Sequence, residues 1–127
     1  MHKHFPPDEL EDAALLMRRG GVLAYPTEAV YGLGCDPRDR AAFDRIFALK
    51  RRPATQGVLL IAADFEQVRR YIDLSKVPKT VLADVRASWP GPHTWIFPRS
   101  AAVPDWVAGT HAGIALRVTA HEPAAAL

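Results

Sequence analysis

Four short and almost entirely apolar runs alternate with helical patterns, and this alternation constrains the fold more than any other feature. The runs cover residues 22–25, 58–62, 94–97 and 114–118. Strands that are buried on both faces read as continuous apolar runs. The sequence therefore predicts one α/β domain without a linker, in which helices cover both faces of the sheet.

Helix signals lie before and between the first two runs. Asp8 and Glu11 have the spacing of a capping box at the start of the first helix. Gly20 and the glycine after it end that helix. The second helix covers about 40–50 and ends before Pro53, because the residue before a proline avoids the α region.

Further signals predict a third and a fourth helix. Asp64 with Gln67 opens the third, and Pro78 opens the fourth. The glycine-rich segment 27–37 is predicted to be a loop or turn. A second capping box at Thr119 and Glu122 predicts the start of another helix near the end of the chain.

Composition narrows the functional class only slightly. The chain has 127 residues, an apolar fraction of 49%, a charged fraction of 24% and a net charge of +2. It has no apolar run of the roughly 20 residues that a membrane span requires, and no secretory signal. Cys35, the single cysteine, fits a reducing compartment, and the histidines lack metal-ligand spacing. We therefore expect a cytoplasmic protein without a zinc site.

A hydroxyl and a carboxylate, those of Thr27 and Glu28, follow directly after the first strand. Open α/β sheets bind ligands in the crevice beyond the carboxyl ends of their strands. A turn that Thr27 caps locally explains the same residues, and spacing alone slightly favours that explanation. Both interpretations stay open.

Lys50, Arg51 and Arg52 form a cationic cluster at the end of the second helix. The helix macrodipole and solvation explain such a cluster. Alternatively, it forms an anion clamp for a polyphosphate. The chain has neither a Walker A pattern nor a Gly-x-Gly-x-x-Gly motif, so nucleotide binding would need another geometry.

Two further candidates lie near the last two strands. Pro90 and Pro92 fix a turn that holds Thr94 at a strand start and offers backbone groups to a flat base. Arg117 lies within an apolar strand, where a cation is costly unless it is paired or lies at the end of the sheet. Arg117 is therefore a better functional candidate than a surface arginine.

Five segments together resemble the YrdC-like family, the bacterial threonylcarbamoyl-AMP synthases, in order and spacing. They are AYPTEAVYGLG (24–34), LKRRP (49–53), LIAA (60–63), WPGPHT (89–94) and ALRVTAH (115–121). The resemblance implies a single twisted, open, mixed sheet with flanking helices and a concave basic cavity, as one YrdC-like domain over 1–127. It also implies that the domain lacks the Ser-Thr-Ser-Ala-Asn segment with which family members continue.

The resemblance further implies a reaction. L-threonine, bicarbonate and ATP give threonylcarbamoyl-adenylate and pyrophosphate, with Mg²⁺ assisting the nucleotide. A separate transferase complex then passes the group to ANN-decoding transfer RNA. By matching position, Lys50 and Arg52 face the phosphates and carry the catalysis. The remaining carried-over contacts are Thr27, Thr94 and the Ala115 backbone to threonine, Tyr31 as a cavity wall, and the Pro90 backbone and Arg117 to the nucleotide.

Two alternatives remain. A non-catalytic YrdC-like module would use the basic concavity for double-stranded RNA or transfer RNA. A carbamoyl-transfer domain, like that of hydrogenase-maturation proteins, is disfavoured by the absence of a flanking acylphosphatase-like or zinc-finger segment.

Overall fold

Helices and strands alternate along the chain in the computed structural model, which describes residues 4–28, 31–51, 58–109, 111–122 and 124–127. The helices within these residues are α1 (Leu10–Arg18), α2 (Arg40–Lys50), α3 (Phe65–Arg69), α4 (Lys79–Ser88) and α5 (Asp105–Ala108). The strands are β1 (Leu23–Pro26), β2 (Tyr31–Gly34), β3 (Leu59–Ala62), β4 (Trp95–Pro98) and β5 (Gly113–Val118). No helix in these ranges is long and apolar enough to cross a membrane.

The strands form two sheets, whereas the sequence predicted one. β1 and β2 make an antiparallel hairpin, and a second sheet has the order β3-β5-β4. The second sheet is mixed as predicted, since β3 runs parallel and β4 antiparallel to β5. Among the described residues, no strand pairing links this hairpin to β3, β4 or β5.

β2 lies within the segment that was predicted to be a loop. Its glycines concealed it, because glycine is depleted in strands. Gly34 has a steric reason to be glycine, since a Cβ atom there would come within 2.3 Å of the Tyr25 hydroxyl oxygen. At Gly34, glycine thus reflects close packing inside the hairpin.

One face of the three-stranded sheet forms part of the hydrophobic core. In β5 the side chains of Ile114, Leu116 and Val118 are buried, and Leu60 and Trp95 flank Leu116 on the neighbouring strands. Apolar side chains from four helices complete this core, namely Phe43, Phe47, Val68, Val85 and Val107.

The opposite face of this sheet is not covered in the same way. It presents Leu59, Ile61, Ala115 and Arg117, which are only partly buried, and Ile96, which is 78% exposed. The prediction that both faces are covered is therefore wrong for the described residues. A short apolar run indicates a strand without indicating how many of its faces are buried.

Most predicted helix ends are correct, and Asp64 gives the clearest case. Its carboxylate accepts a hydrogen bond from the Gln67 amide at 3.0 Å, while the Gln67 side chain accepts one from the Ala63 amide at 2.7 Å. α2 ends at Arg51, which adopts the left-handed conformation. The predicted stop at Arg52 and Pro53 lies outside the described residues.

Two predicted capping boxes are wrong. A 3₁₀ turn, Pro7–Glu9, precedes α1, and neither the turn nor the helix has a side-chain cap at its start. The Thr119 hydroxyl accepts from the His121 amide at 3.0 Å, so it forms a two-residue turn, and no helix follows within 119–122 or 124–127. The sequence patterns did not predict the short helix α5.

Candidate functional site

A hollow of about 900 Å³ lies along β3, the edge strand of the three-stranded sheet, and Arg117 of β5 also lines it. Its walls come from α1, the β1–β2 hairpin, α2, α3 and residues 124–127, and Leu59 and Ile61 contribute apolar surface. Ligand sites in proteins are concave, of about 300–1,000 Å³, and mostly apolar with a few placed polar groups. The size and lining of the hollow match that description.

Four predicted site residues meet at this hollow. Thr27, at the end of β1, Lys50, at the end of α2, and Arg117, near the end of β5, line it directly. Thr94 is joined to Arg117, because the Arg117 Nε and a terminal guanidinium nitrogen donate to the Thr94 hydroxyl oxygen at 3.0 and 2.7 Å. This contact gives the Arg117 guanidinium a fixed direction.

The other predicted residues lie elsewhere. Ala115 is on the same face of β5 but borders a second, smaller hollow of about 410 Å³. Tyr31 is 75% exposed on β2, and Pro90 is exposed in the turn after α4, where the Trp89–Pro90 bond is cis. Neither of these two lines the hollow. Arg52 lies outside the described residues.

The charged residues that line the hollow are mainly cationic. Two acidic residues, Asp36 and Glu66, are outnumbered by five cations among the described lining residues, namely Arg18, Arg38, Lys50, Arg70 and Arg117. Asp36 is neutralised in part by Arg38, whose guanidinium lies 2.9 Å from it and lowers the pKa of that carboxyl. Such a concavity raises the local concentration of anions.

Glu28 and Thr119 connect the hairpin to β5. The Thr119 hydroxyl donates to the Glu28 carboxylate at 2.5 Å. This bond is the largest of several causes that lower the pKa of Glu28, and the nearby charges of His121 and Arg117 act in the same direction. Sequence reasoning noted the Glu28 carboxylate but missed this pair, because the capping pattern at Thr119 suggested a helix start.

Cys35 lies in the wall of the hollow and also packs against the core. Burial, with the charges of Asp36 and Asp39 as lesser causes, raises the pKa of its thiol to about 11. The thiol is therefore protonated near neutral pH, which is typical of a small packed side chain and not of a nucleophile.

Comparison with known proteins identifies the relatives of this fold. Residues 15–127 match the Sua5/YciO/YrdC family, which is described as telomere recombination. A threonylcarbamoyl-AMP synthase of Xanthomonas euvesicatoria is 49% identical over 119 residues, and one of Methylococcus capsulatus is 54% identical over 115 residues. These matches cover 94% and 91% of this chain but only 64% and 61% of the relatives.

Solved structures agree with this similarity. Sua5 of P. abyssi complexed with L-threonine has a TM-score of 0.82 and 35% identity, and the match covers 94% of this chain and 35% of that one. YciO of E. coli has a TM-score of 0.76 and 26% identity, covering 91% of this chain and 55% of that one.

Proposed function

Because the chain belongs to the Sua5/YciO/YrdC family, we propose that it contributes the threonine- and ATP-binding hollow of a threonylcarbamoyl-AMP synthase. The proposed reaction condenses L-threonine, bicarbonate and ATP into threonylcarbamoyl-adenylate, pyrophosphate and water. The chain spans about 64% of the length of the Xanthomonas relative. The activity of that relative is therefore a proposal for this chain.

The observation that carries the proposal is the meeting of Thr27, Lys50 and the Arg117–Thr94 pair at one hollow. These residues come from four separate segments of the chain. They supply hydroxyls and cations together, which a zwitterionic amino acid and a polyphosphate both require. The similar P. abyssi protein is complexed with L-threonine, which supports the amino-acid half of the proposal.

Hydrogen-bond chemistry suggests how threonine is held. The Thr94 hydroxyl oxygen accepts from Arg117, so its own proton is left to donate. Thr27 offers a second hydroxyl at the rim, and the Ala115 backbone lies on the same sheet face. A pocket with paired hydroxyls rejects an analogue that lacks the matching group, because its own polar atoms would then be unpaired.

The nucleotide half relies on positive charge. Lys50, with Arg52, would face the phosphates, and Arg117 would reach the nucleotide from β5. A guanidinium binds phosphate through a planar fork, whereas an ammonium acts as a point charge. We further propose the Pro90 backbone as a nucleotide contact and Tyr31 as an outer wall, although both lie outside the lining of the described hollow.

The proposed reaction needs no covalent enzyme intermediate, so the main task of the protein is to position the reactants. The threonine amine takes up carbon dioxide, the carbamate oxygen attacks the α-phosphate, and the bond to pyrophosphate breaks. Binding the reactants side by side removes much of the entropic barrier. Lys50 and the arginines would stabilise the negative charge that develops on the departing pyrophosphate. The protonated Cys35 needs no role in these steps.

Mg²⁺ would enter with the nucleotide as MgATP. Among the described residues, no three histidine, cysteine, aspartate or glutamate side chains are grouped to hold a metal ion. Magnesium in phosphate-transfer sites is bound largely through substrate phosphates, water and one or two carboxylates. The described side chains are thus compatible with a metal that belongs to the substrate.

Pyrophosphate release tests the proposal directly. The chain should release pyrophosphate from ATP only when L-threonine and bicarbonate are both present, and 2-aminobutyrate, which lacks the hydroxyl, should replace threonine poorly. Release that is indifferent to threonine would contradict the proposal. Titration with the same two amino acids gives a second readout, and equal binding of both, or binding of neither, would count against it.

The cation excess of the hollow also favours a second candidate, the non-catalytic RNA-binding module. Phosphate contacts release counterions, so RNA affinity should fall steeply as salt increases. Affinity for a transfer RNA that is constant between low and high salt would exclude this candidate. In the synthase proposal, the product passes to a transferase complex that modifies transfer RNA in the cytoplasm.

A further inference from the structure

We infer that Thr119 and Glu28 form a positioning pair that sets the distance between Thr27 and Arg117 across the hollow. This inference rests on the proposed function, because Thr27 and Arg117 are two of its proposed ligand contacts. Neither member of the pair is proposed to touch substrate. The pair would act by holding the hairpin against the end of β5.

The topology shows where such a connection would act. Thr27 follows β1 of the hairpin, whereas Arg117 belongs to β5 of the other sheet, and no strand pairing joins the two sheets in the described residues. The Thr119–Glu28 hydrogen bond spans 91 positions of sequence and joins these two parts. Each partner lies one or two residues from the ligand contact that it would position.

Three hydrogen bonds hold Thr119 in place. Its amide donates to the Ala62 carbonyl at 2.9 Å, its hydroxyl oxygen accepts from the His121 amide at 3.0 Å, and its hydroxyl proton goes to Glu28. The residue is 0% exposed. A buried side chain with every polar atom bonded has little freedom to move, so it provides a fixed point for a partner that is itself exposed.

The exposure of Glu28 argues against a role in core packing alone. Its side chain lies at the surface, so loss of the carboxylate would remove little buried contact. A hydrogen bond from a hydroxyl to an ionised carboxylate is short and directional. The bond is therefore suited to fixing where the Thr27 turn lies, and two charged groups of the β5 end, Arg117 and His121, also face this carboxylate.

Matched variants of the 127-residue chain test the inference. Thr119→Val removes the hydroxyl at similar volume, Thr119→Ser keeps it, and Thr80→Val makes the same change on the exposed surface of α4. We expect Thr119→Val to weaken L-threonine binding about fivefold or more, in line with the loss of one hydrogen bond. Thr119→Ser and Thr80→Val should stay within about twofold of the parent chain, a threshold well below that loss.

Substitutions at the exposed Glu28 test the same hydrogen bond without altering the buried Thr119 site. Glu28→Ala should weaken threonine binding as much as Thr119→Val does, and Glu28→Gln, which keeps an acceptor oxygen, should restore most of it. The double variant Glu28→Ala/Thr119→Val should be no weaker than either single variant. Additive losses, or a parent-like affinity in Glu28→Ala, would overturn the inference.

A ligand-free readout separates this inference from the proposed function. The Thr27 methyl resonance should shift in Thr119→Val and return in Thr119→Ser. If the parent chain does not bind threonine, the proposed function fails, and this resonance decides the positioning claim. An unchanged Thr27 methyl signal in Thr119→Val would overturn the positioning claim whatever the binding result.

Discussion

The two faces of the β3-β5-β4 sheet come from the same apolar strands but have different roles. In β5, the even-numbered side chains Ile114, Leu116 and Val118 are buried under the helices. The odd-numbered Ala115 and Arg117 lie on the opposite face, where Arg117 lines the larger hollow and Ala115 the smaller one. Packing against helices thus buries one face, and the opposite face contributes Arg117 to the candidate site.

This contrast teaches why an apolar strand can carry a functional cation. Arg117 pairs in register with Ile61 on β3, so it lies among apolar neighbours on the open face. The Thr94 hydroxyl partly satisfies its guanidinium. A cation at that position on the packed face would be unpaired and buried, which costs several kcal/mol or more.

The largest effect is expected on the packed face. Leu116→Ala should reduce the free energy of unfolding by about 2–5 kcal/mol, because Leu116 is 0% exposed and its removal leaves a cavity. Urea denaturation measures this change. Ile96→Thr, a polar change of similar shape on the open face, is the control and should shift stability by less than about 0.5 kcal/mol. Equal losses in the two variants would remove the distinction between the faces.

A smaller effect, on binding and not on stability, is expected at the hollow. Lys50→Ala should weaken ATP binding about tenfold or more, since a hydrogen bond to a charged group contributes about 1.5–3 kcal/mol. Its melting temperature should stay close to that of the parent chain, because Lys50 is exposed at the end of α2. Calorimetric titration and thermal melting give the two quantities.

Lys79→Ala is the matched control for this prediction. Lys79 begins α4 and does not line the hollow, so ATP affinity should be unchanged. A large loss of stability in Lys50→Ala, or equal losses of affinity in the two variants, would favour a simple role in the helix end.

The smallest effect concerns the connection between the hairpin and the sheet. The pKa of Glu28 is lowered in the folded chain, first by its hydrogen bond to Thr119. Its contribution to stability is therefore present above the ordinary pKa of 4.5 and is lost as the pH falls through the folded value. The melting-temperature difference between the parent chain and Glu28→Gln should shrink at acid pH. Glu11→Gln, an exposed change on α1, is the control, and a difference that grows on acidification would contradict this assignment.

Local signals predicted much of the fold. Asp64 and Gln67 cap α3 as their spacing indicated, and four apolar runs became four of the strands. Local patterns failed where tertiary packing decided the outcome. Gly34 of β2 reflects contact with Tyr25, and Thr119 bonds to Glu28 across 91 positions, which no local pattern reveals.

The candidate site was predicted unevenly for the same reason. Arg117 was noted because a cation is unusual within an apolar strand. Local explanations sufficed for Thr27 and Lys50, and the family resemblance brought the three together. Arg18, Arg38 and Arg70 were not singled out, although they also line the hollow. In the sequence they are indistinguishable from ordinary surface arginines, because only the folded chain brings them to one hollow.

The central claim is that the hollow beside β3 and Arg117 binds the amino acid. Titration of methyl-labelled chain with L-threonine, followed by NMR, tests it directly. The methyl resonances of Thr27 and Ile61 should shift saturably, while that of Leu116 on the packed face should not. Saturable shifts confined to residues outside the hollow, or no saturable shift at all, would contradict the claim.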